Sequence, residues 1–153
     1  MSTEAIEREM VIEAPAEVVW DVITQPEQIT RWFSDTAEVE LREGGRMVLG
    51  FPAHNQAIEA VVVRVERPRV FAWRWIQNEG DPLDDSVSTY VRFTLTEEGE
   101  ERTRLAVLET GFDKVEFSGG RDPAEVRASH VEGWAEHTET LVGLFAGRES
   151  AAR

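Results

Sequence analysis

Two histidines, one glutamate and a set of aromatic rings are the side chains of this 153-residue sequence with the chemistry to hold or transform a small molecule. His130 and His137 stand seven residues apart. On a helix that is two turns, so they share roughly one face at a separation of about 10 Å. A metal ion with bonds of about 2 Å cannot bridge such a gap without a break in the helix. His54 adds no useful spacing and no H-E-x-x-H pattern occurs, so neither metal nor metal cofactor is expected. An imidazole on a cavity wall can hydrogen-bond a ligand carbonyl or move a proton near neutral pH. The commoner role for each of the two is an ordinary hydrogen bond on a half-exposed helix.

Glu109 follows Leu105 and Val107 at a period of two, which points its carboxylate toward the interior near a strand end. Burial there disfavours the ionised form and makes the group able to orient a polar ligand or take a proton. The commoner outcome for a glutamate is that it caps or faces water where Gly111-Phe112 begins a turn. Trp32, Phe33, Phe51, Phe71, Trp73, Trp75, Phe93 and Trp134 can form a broad apolar wall, although core packing accounts for most of them. Trp32 and Phe33 end a short helix and are the ones expected to border an opening. Together with Glu109, His130 and His137 these rings form the candidate ligand cavity.

No covalent chemistry is indicated. The sequence has no cysteine, which removes thiol nucleophiles, thiolate metal sites and disulfides, and Ser118 sits in no G-x-S-x-G elbow. Gly44-Gly45 and Gly119-Gly120 match no phosphate-binding pattern and read as turns. No residue is assigned a catalytic role, and no cofactor is implied.

The elements that must position these residues are legible from periodicity. Ile6, Arg8, Met10 and Ile12 alternate with Glu7, Glu9, Val11 and Glu13 as a half-buried first strand. Pro15 and Pro26 each open a short helix, the second carrying Ile29, Trp32 and Phe33. From Ala37 the period returns to two through six further strands, broken at Gly44-Gly45, Pro68, the loop 78–85 and the acidic turn 97–101. Phe71, Trp73 and Trp75 share one strand face, whereas Tyr90 and Arg92 are expected on the outside of theirs. A long amphipathic helix is predicted over 122–147, with Asp122 as cap, Pro123 first in the helix, Glu125 completing a capping box and Gly147 as the stop. Val126, His130, Trp134, Leu141, Leu144 and Phe145 mark its apolar face, and Glu132, Glu136 and Glu139 lie mostly on another.

No helical stretch joins the consecutive strands after Ala37, so parallel crossovers have no material and a meandering antiparallel sheet is predicted. The class is α+β, with a curved sheet of about seven strands around one long helix. Both carry an apolar stripe, and where their curvatures differ a pocket is left. One domain over 1–153 is expected, with 148–153 as a flexible tail.

Sixteen basic against thirty acidic residues give a net charge of −14, a field that repels nucleic acid and anionic membrane surfaces. The N-terminal residues hold no apolar segment of signal-peptide length and no run approaches a membrane span, so a cytoplasmic protein without membrane insertion is expected.

Five segments carry a family resemblance: IEAPAEVVWDVITQPEQITRWF (12–33), REGGR (42–46), STYVRFTL (88–95), TRLAVLETGFD (103–113) and HVEGWAEHTETLVGLF (130–145). In this order they resemble the SRPBCC superfamily, and within it the branch of homologues of the activator of the ninety-kilodalton heat-shock-protein ATPase. The resemblance implies the START-like helix-grip fold, in which the sheet grips the C-terminal helix around an apolar cavity. Members include lipid binders, hormone and allergen proteins, aromatases or cyclases and a chaperone activator. The family usually places a leucine four residues after the Gly-Trp pair, whereas this chain has Thr138 after His137, which implies a more polar helix face.

Three functions are compatible with these features. A small hydrophobic or amphipathic ligand in the cavity comes first. A chaperone-ATPase co-factor acting through a protein partner is the second. The third, a cyclase- or hydrolase-type enzyme, requires two of His130, His137 and Glu109 to reach one substrate atom. A homodimer through a sheet edge or the Trp32 region is also compatible with the sequence.

Overall fold

A computed structural model describes residues 4–51, 56–76, 88–113 and 120–151. Alternating residues lay down strand β1 (Ile6–Ile12), with Ile6 and Ile12 buried and Glu7, Arg8 and Glu9 exposed. Two short helices come next, α1 (Ala16–Thr24) behind the cap residue Pro15 and α2 (Pro26–Ile29), whose proline is preset for a first helical turn. The chain then meanders through β2 (Thr36–Val39), β3 (Arg46–Phe51), β4 (Gln56–Glu66), β5 (Val70–Ile76), β6 (Ser88–Gly99) and β7 (Arg102–Thr110). It ends in helix α3 (Pro123–Ala151).

The strands form one seven-stranded antiparallel sheet in the order β1-β7-β6-β5-β4-β3-β2. β1 is therefore inserted beside the last strand, and β1 and β2 are the two edges. Since α1 and α2 join those edges, they carry the chain across the whole width of the sheet. Val19, Trp20 and Ile23 of α1 are buried, and Trp20 meets Phe71 of β5 edge to face at 6.3 Å. A turn tied by Arg67 to Glu17 and Asp21 fastens the β4–β5 end to α1.

The α+β class and the helix-grip architecture are as predicted, and the element boundaries differ in four places. Helix α2 ends at Ile29, leaving Trp32 and Phe33 in the turn beyond it. Helix α3 does not stop at Gly147 but continues to Ala151. A lone glycine costs a helix only about 1 kcal/mol relative to alanine, and no proline comes after it to enforce a stop. Strand β6 runs on to Gly99 through the stretch expected to turn, taking up a register irregularity between Glu97 and Gly99. Strand β2 ends at Val39, leaving Leu41 outside it. The turn residue Gly44 has φ +81°, and a side chain at Gly45 would collide with the Glu40 carbonyl, so both glycines serve backbone geometry. His54, the 78–85 loop, Ser118 and Gly119 lie outside the described residues.

Asp122 caps α3, accepting the Ala124 amide at 3.0 Å on Oδ1. Val126, Trp134, Leu141 and Phe145 recur on one face and are buried. Trp134 reaches Phe93 of β6 at 5.9 Å and Trp75 of β5 at 6.3 Å, so the helix lies across the concave face of the sheet. Among the described residues no helix is long and apolar enough to cross a membrane.

Candidate functional site

Three adjacent strands and the helix converge on Glu109. In the β6–β7 register Val91 opposes Glu109, and in β5–β6 Thr89 opposes Trp75. Thr89 lies two residues from Val91 on the same face, so Glu109, Thr89 and Trp75 share the concave surface, with Glu109 diagonal to Thr89 and Trp75 directly across from it. Trp75 Nε1 donates to Glu109 Oε2 at 2.9 Å and Thr89 Oγ1 donates to the same oxygen at 2.8 Å. From α3, Trp134 Nε1 donates to Oε1 at 2.8 Å and His130 Nδ1 lies 2.9 Å from it. Glu109 has no exposed surface, yet each carboxylate oxygen holds two partners, which fills its acceptor capacity.

Burial pushes the Glu109 pKa up, but hydrogen bonding and charge from His130, with hydrogen bonds from Trp134 and Thr89, outweigh it. The net direction is downward, so the carboxylate is ionised at neutral pH. The turn at Gly111 does not bring Glu109 to water. An outward position is the commoner outcome for a glutamate, and the helix overrides it by supplying two of the four donors.

Beside this network a cavity of about 630 Å³ opens between β3, β4, β5 and α3. One wall is aromatic. Phe33 stacks on Trp134 at 5.4 Å and 11° and on Trp75 at 5.8 Å and 26°, with Phe51 meeting it edge-on at 5.8 Å. The helical wall consists of two neighbouring stripes. Val126, His130, Trp134 and His137 form the inner one, and Glu125, Ser129, Glu132 and Glu136, spaced at four, three and four residues, form the outer one at the rim.

The candidate residues separate into groups. Phe33, Phe51, Trp75, His130, Trp134 and His137 line the cavity. Phe71, Trp73 and Phe93 do not; they are buried and pack on one another at 5.0 to 6.4 Å. Trp32 does not border the opening either, because its indole N–H donates inward to the Val22 carbonyl at 2.9 Å and the residue is buried. Glu109 sits behind the wall, joined to it through Trp75, Trp134 and His130.

His137 Nδ1 lies 3.2 Å from the Trp32 carbonyl, and its ring meets Phe33 edge-on at 4.8 Å. Burial lowers its pKa more than the Trp32 carbonyl and Glu136 raise it, which favours the neutral ring with Nδ1–H donating. His130 and His137 thus bind different anchors and do not combine on one atom. Thr138 makes the helix face no more polar: it is buried and its hydroxyl returns to the Trp134 carbonyl of its own helix at 2.6 Å.

Sequence reasoning missed Thr89 and the rim glutamates as parts of the site. A polar residue on the inward face of a strand that also carries Val91 and Phe93 was the available signal for Thr89. The rim was hidden because Glu132 and Glu136 read as a solvent face, whereas the helix lies so that this face overlooks the cavity. Among the described residues no cluster of His, Asp or Glu is arranged to hold a metal ion.

The family model described as Activator of Hsp90 ATPase homolog 1-like protein matches residues 13–146. The chain belongs to this family. It is the branch that the sequence motifs resembled. A protein from Mesorhizobium loti superposes with a TM-score of 0.74 at 23% identity, over 92% of this chain and 95% of that one. A Plasmodium falciparum protein described as an HSP90 activator superposes at 0.71 with 20% identity, over 94% and 96%. CalU16 from Micromonospora echinospora superposes at 0.67 with 26% identity, over 97% and 79%. A comparison with curated proteins finds no match.

Proposed function

We propose that this activator-homologue family member binds a small hydrophobic or amphipathic molecule between the concave sheet and α3. The observation that carries the reading is the cavity of about 630 Å³ with its wall of Phe33, Phe51, Trp75 and Trp134. Ligand sites typically occupy roughly 300–1,000 Å³, are mostly apolar and hold a few placed polar groups. Among the described residues, Glu125, Glu132 and Glu136 outnumber the one arginine of the lining, Arg121, and on a molecule of net charge −14 they favour a neutral or cationic ligand over an anion.

Gly133 supplies the test. It lines the cavity, and a Cβ added there meets nothing within 4 Å. Gly133→Leu should project into the space and raise helix propensity at once. Native mass spectrometry of the wild type is expected to show a co-purifying small molecule, and naphthalene is expected to quench Trp75 and Trp134. Gly133→Leu should lose the quenching while unfolding no earlier than the wild type. A cavity protein that carries nothing from the cell and whose fluorescence ignores a panel of apolar probes would sink this reading.

A second reading, a co-factor of the ninety-kilodalton heat-shock ATPase acting through protein contact, is favoured by the family description and by the activator from Plasmodium falciparum. Stimulation of that ATPase by the purified protein supports it, and no complex at tens of micromolar removes it.

A further inference from the structure

We infer that the cavity selects a ligand bearing an acidic hydroxyl, a phenol or enol, which donates to Nε2 of His130. The inference rests on the ligand-binding reading above and adds the chemical group that is read.

Glu109 is fully enclosed and all of its acceptor sites are taken, so it has nothing left for a ligand. Its influence passes through His130. That side chain is 22% exposed and lines the cavity, with Nδ1 held 2.9 Å from the carboxylate. An ionised carboxylate can only accept, so Nδ1 must carry the proton. In the neutral ring Nε2 is then an acceptor. The alternative tautomer would set two lone pairs against each other and is blocked by the same contact. A ligand carbonyl, the partner expected from sequence, is an acceptor too and gains nothing there. A hydroxyl is matched, and the more acidic the hydroxyl, the stronger the bond.

The surroundings define the rest of the molecule. The His130 ring meets Trp75 edge-on at 6.0 Å, and Phe33 stacks on Trp75 and Trp134, so a flat ring bearing the hydroxyl has aromatic faces to lie against. If the proton moves, the ligand O–H bond breaks, its electron pair stays on oxygen, and the proton joins Nε2. The resulting imidazolium faces the Glu109 carboxylate, which makes Glu109 a positioning residue that stabilises the charged ring.

The probe pair 2-naphthol and 2-methoxynaphthalene tests this, since they share a ring system and only the first can donate. Excited 2-naphthol is also a strong acid and emits as naphtholate when a base takes its proton. Wild-type protein is expected to bind 2-naphthol about tenfold more tightly than the methoxy compound, as one good hydrogen bond allows, and to show naphtholate emission from the bound probe. His130→Leu, with a cooperative unfolding transition as the check that it folds, should abolish both the preference and that emission. His130→Gln, which keeps an acceptor but no base, should retain part of the preference and lose the emission. Equal binding of the two probes by the wild type, or a preference that survives in His130→Leu, overturns the hydroxyl inference and leaves the cavity reading standing. If neither probe binds, both readings fail together. The wild-type comparison needs no variant to fold.

Discussion

At the scale of the residue, an anion shut away from water is stable here because four donors from β5, β6 and α3 surround it. Replacing Glu109 by Gln leaves one carbonyl oxygen to accept and turns an amide N–H toward the other pair of donors, where the indole N–H of Trp75 or of Trp134 cannot accept it. Removing one partner of a buried charged network typically costs about 3–5 kcal/mol, so urea denaturation of Glu109→Gln should show a loss of that size near pH 7. The pH dependence has a definite sign. The folded carboxyl has a lower pKa than the unfolded one, so between the two values the unfolded chain binds more protons and stability rises with pH. The stabilisation is complete above the unfolded value of about 4.3 and is lost as pH falls through the folded one. The stability gap between wild type and Glu109→Gln should therefore narrow below about pH 4; a gap constant down to pH 2 would refute the assignment. The inward direction of Glu109 was legible from its step of two after Leu105 and Val107. Its partners were not, because the Trp75–Thr89 pairing depends on strand register and His130 on the rotation of a helix about its axis, neither of which a one-dimensional pattern specifies.

At the scale of the element, α3 is both a wall of the cavity and the lid of the core. Its start was readable because Asp122 and Pro123 act within a single turn. Its end was misread because glycine only weakens a helix, and whether the helix continues depends on the residues beyond Gly147. The meander was readable for a similar reason: alternation and turn residues are local. The split of the aromatic rings between core and cavity wall was not, since Phe71 and Trp75 carry the same period and differ only in what lies above them. Gly143 gives this element a clean test. It is exposed, and a side chain placed there meets nothing within 4 Å. Gly143→Ala should raise stability by about 0.5–1 kcal/mol through helix propensity alone, measured as a shift of the denaturation midpoint with an unchanged slope. A loss of stability would mean that the position has a role beyond helix propensity.

At the scale of the molecule, the surplus of acidic residues sets the response to salt. Nine arginine–carboxylate pairs are present among the described residues, all with substantially exposed side chains, and such pairs contribute little individually. Self-repulsion of a net −14 is the larger effect. Raising the ionic strength from about 0.01 to 0.15 M shortens the screening length from roughly 30 to 8 Å, so the melting temperature should rise; a fall would show that the arginine pairs dominate. The two sheet edges are guarded in the same currency, with Glu7 and Glu9 on β1 and Glu38 on β2 discouraging edge-to-edge pairing. The placement of β1 beside β7 has a further effect during synthesis. Ile6 pairs with Glu109, and Arg127 binds the carbonyls of Glu4 and Ala5, so the first strand leaves the ribosome about a hundred residues before its neighbour exists. Until then Ile6 and Ile12 have no sheet to enter, and the newborn chain must rely on its charges, or on a holdase, to stay out of aggregates.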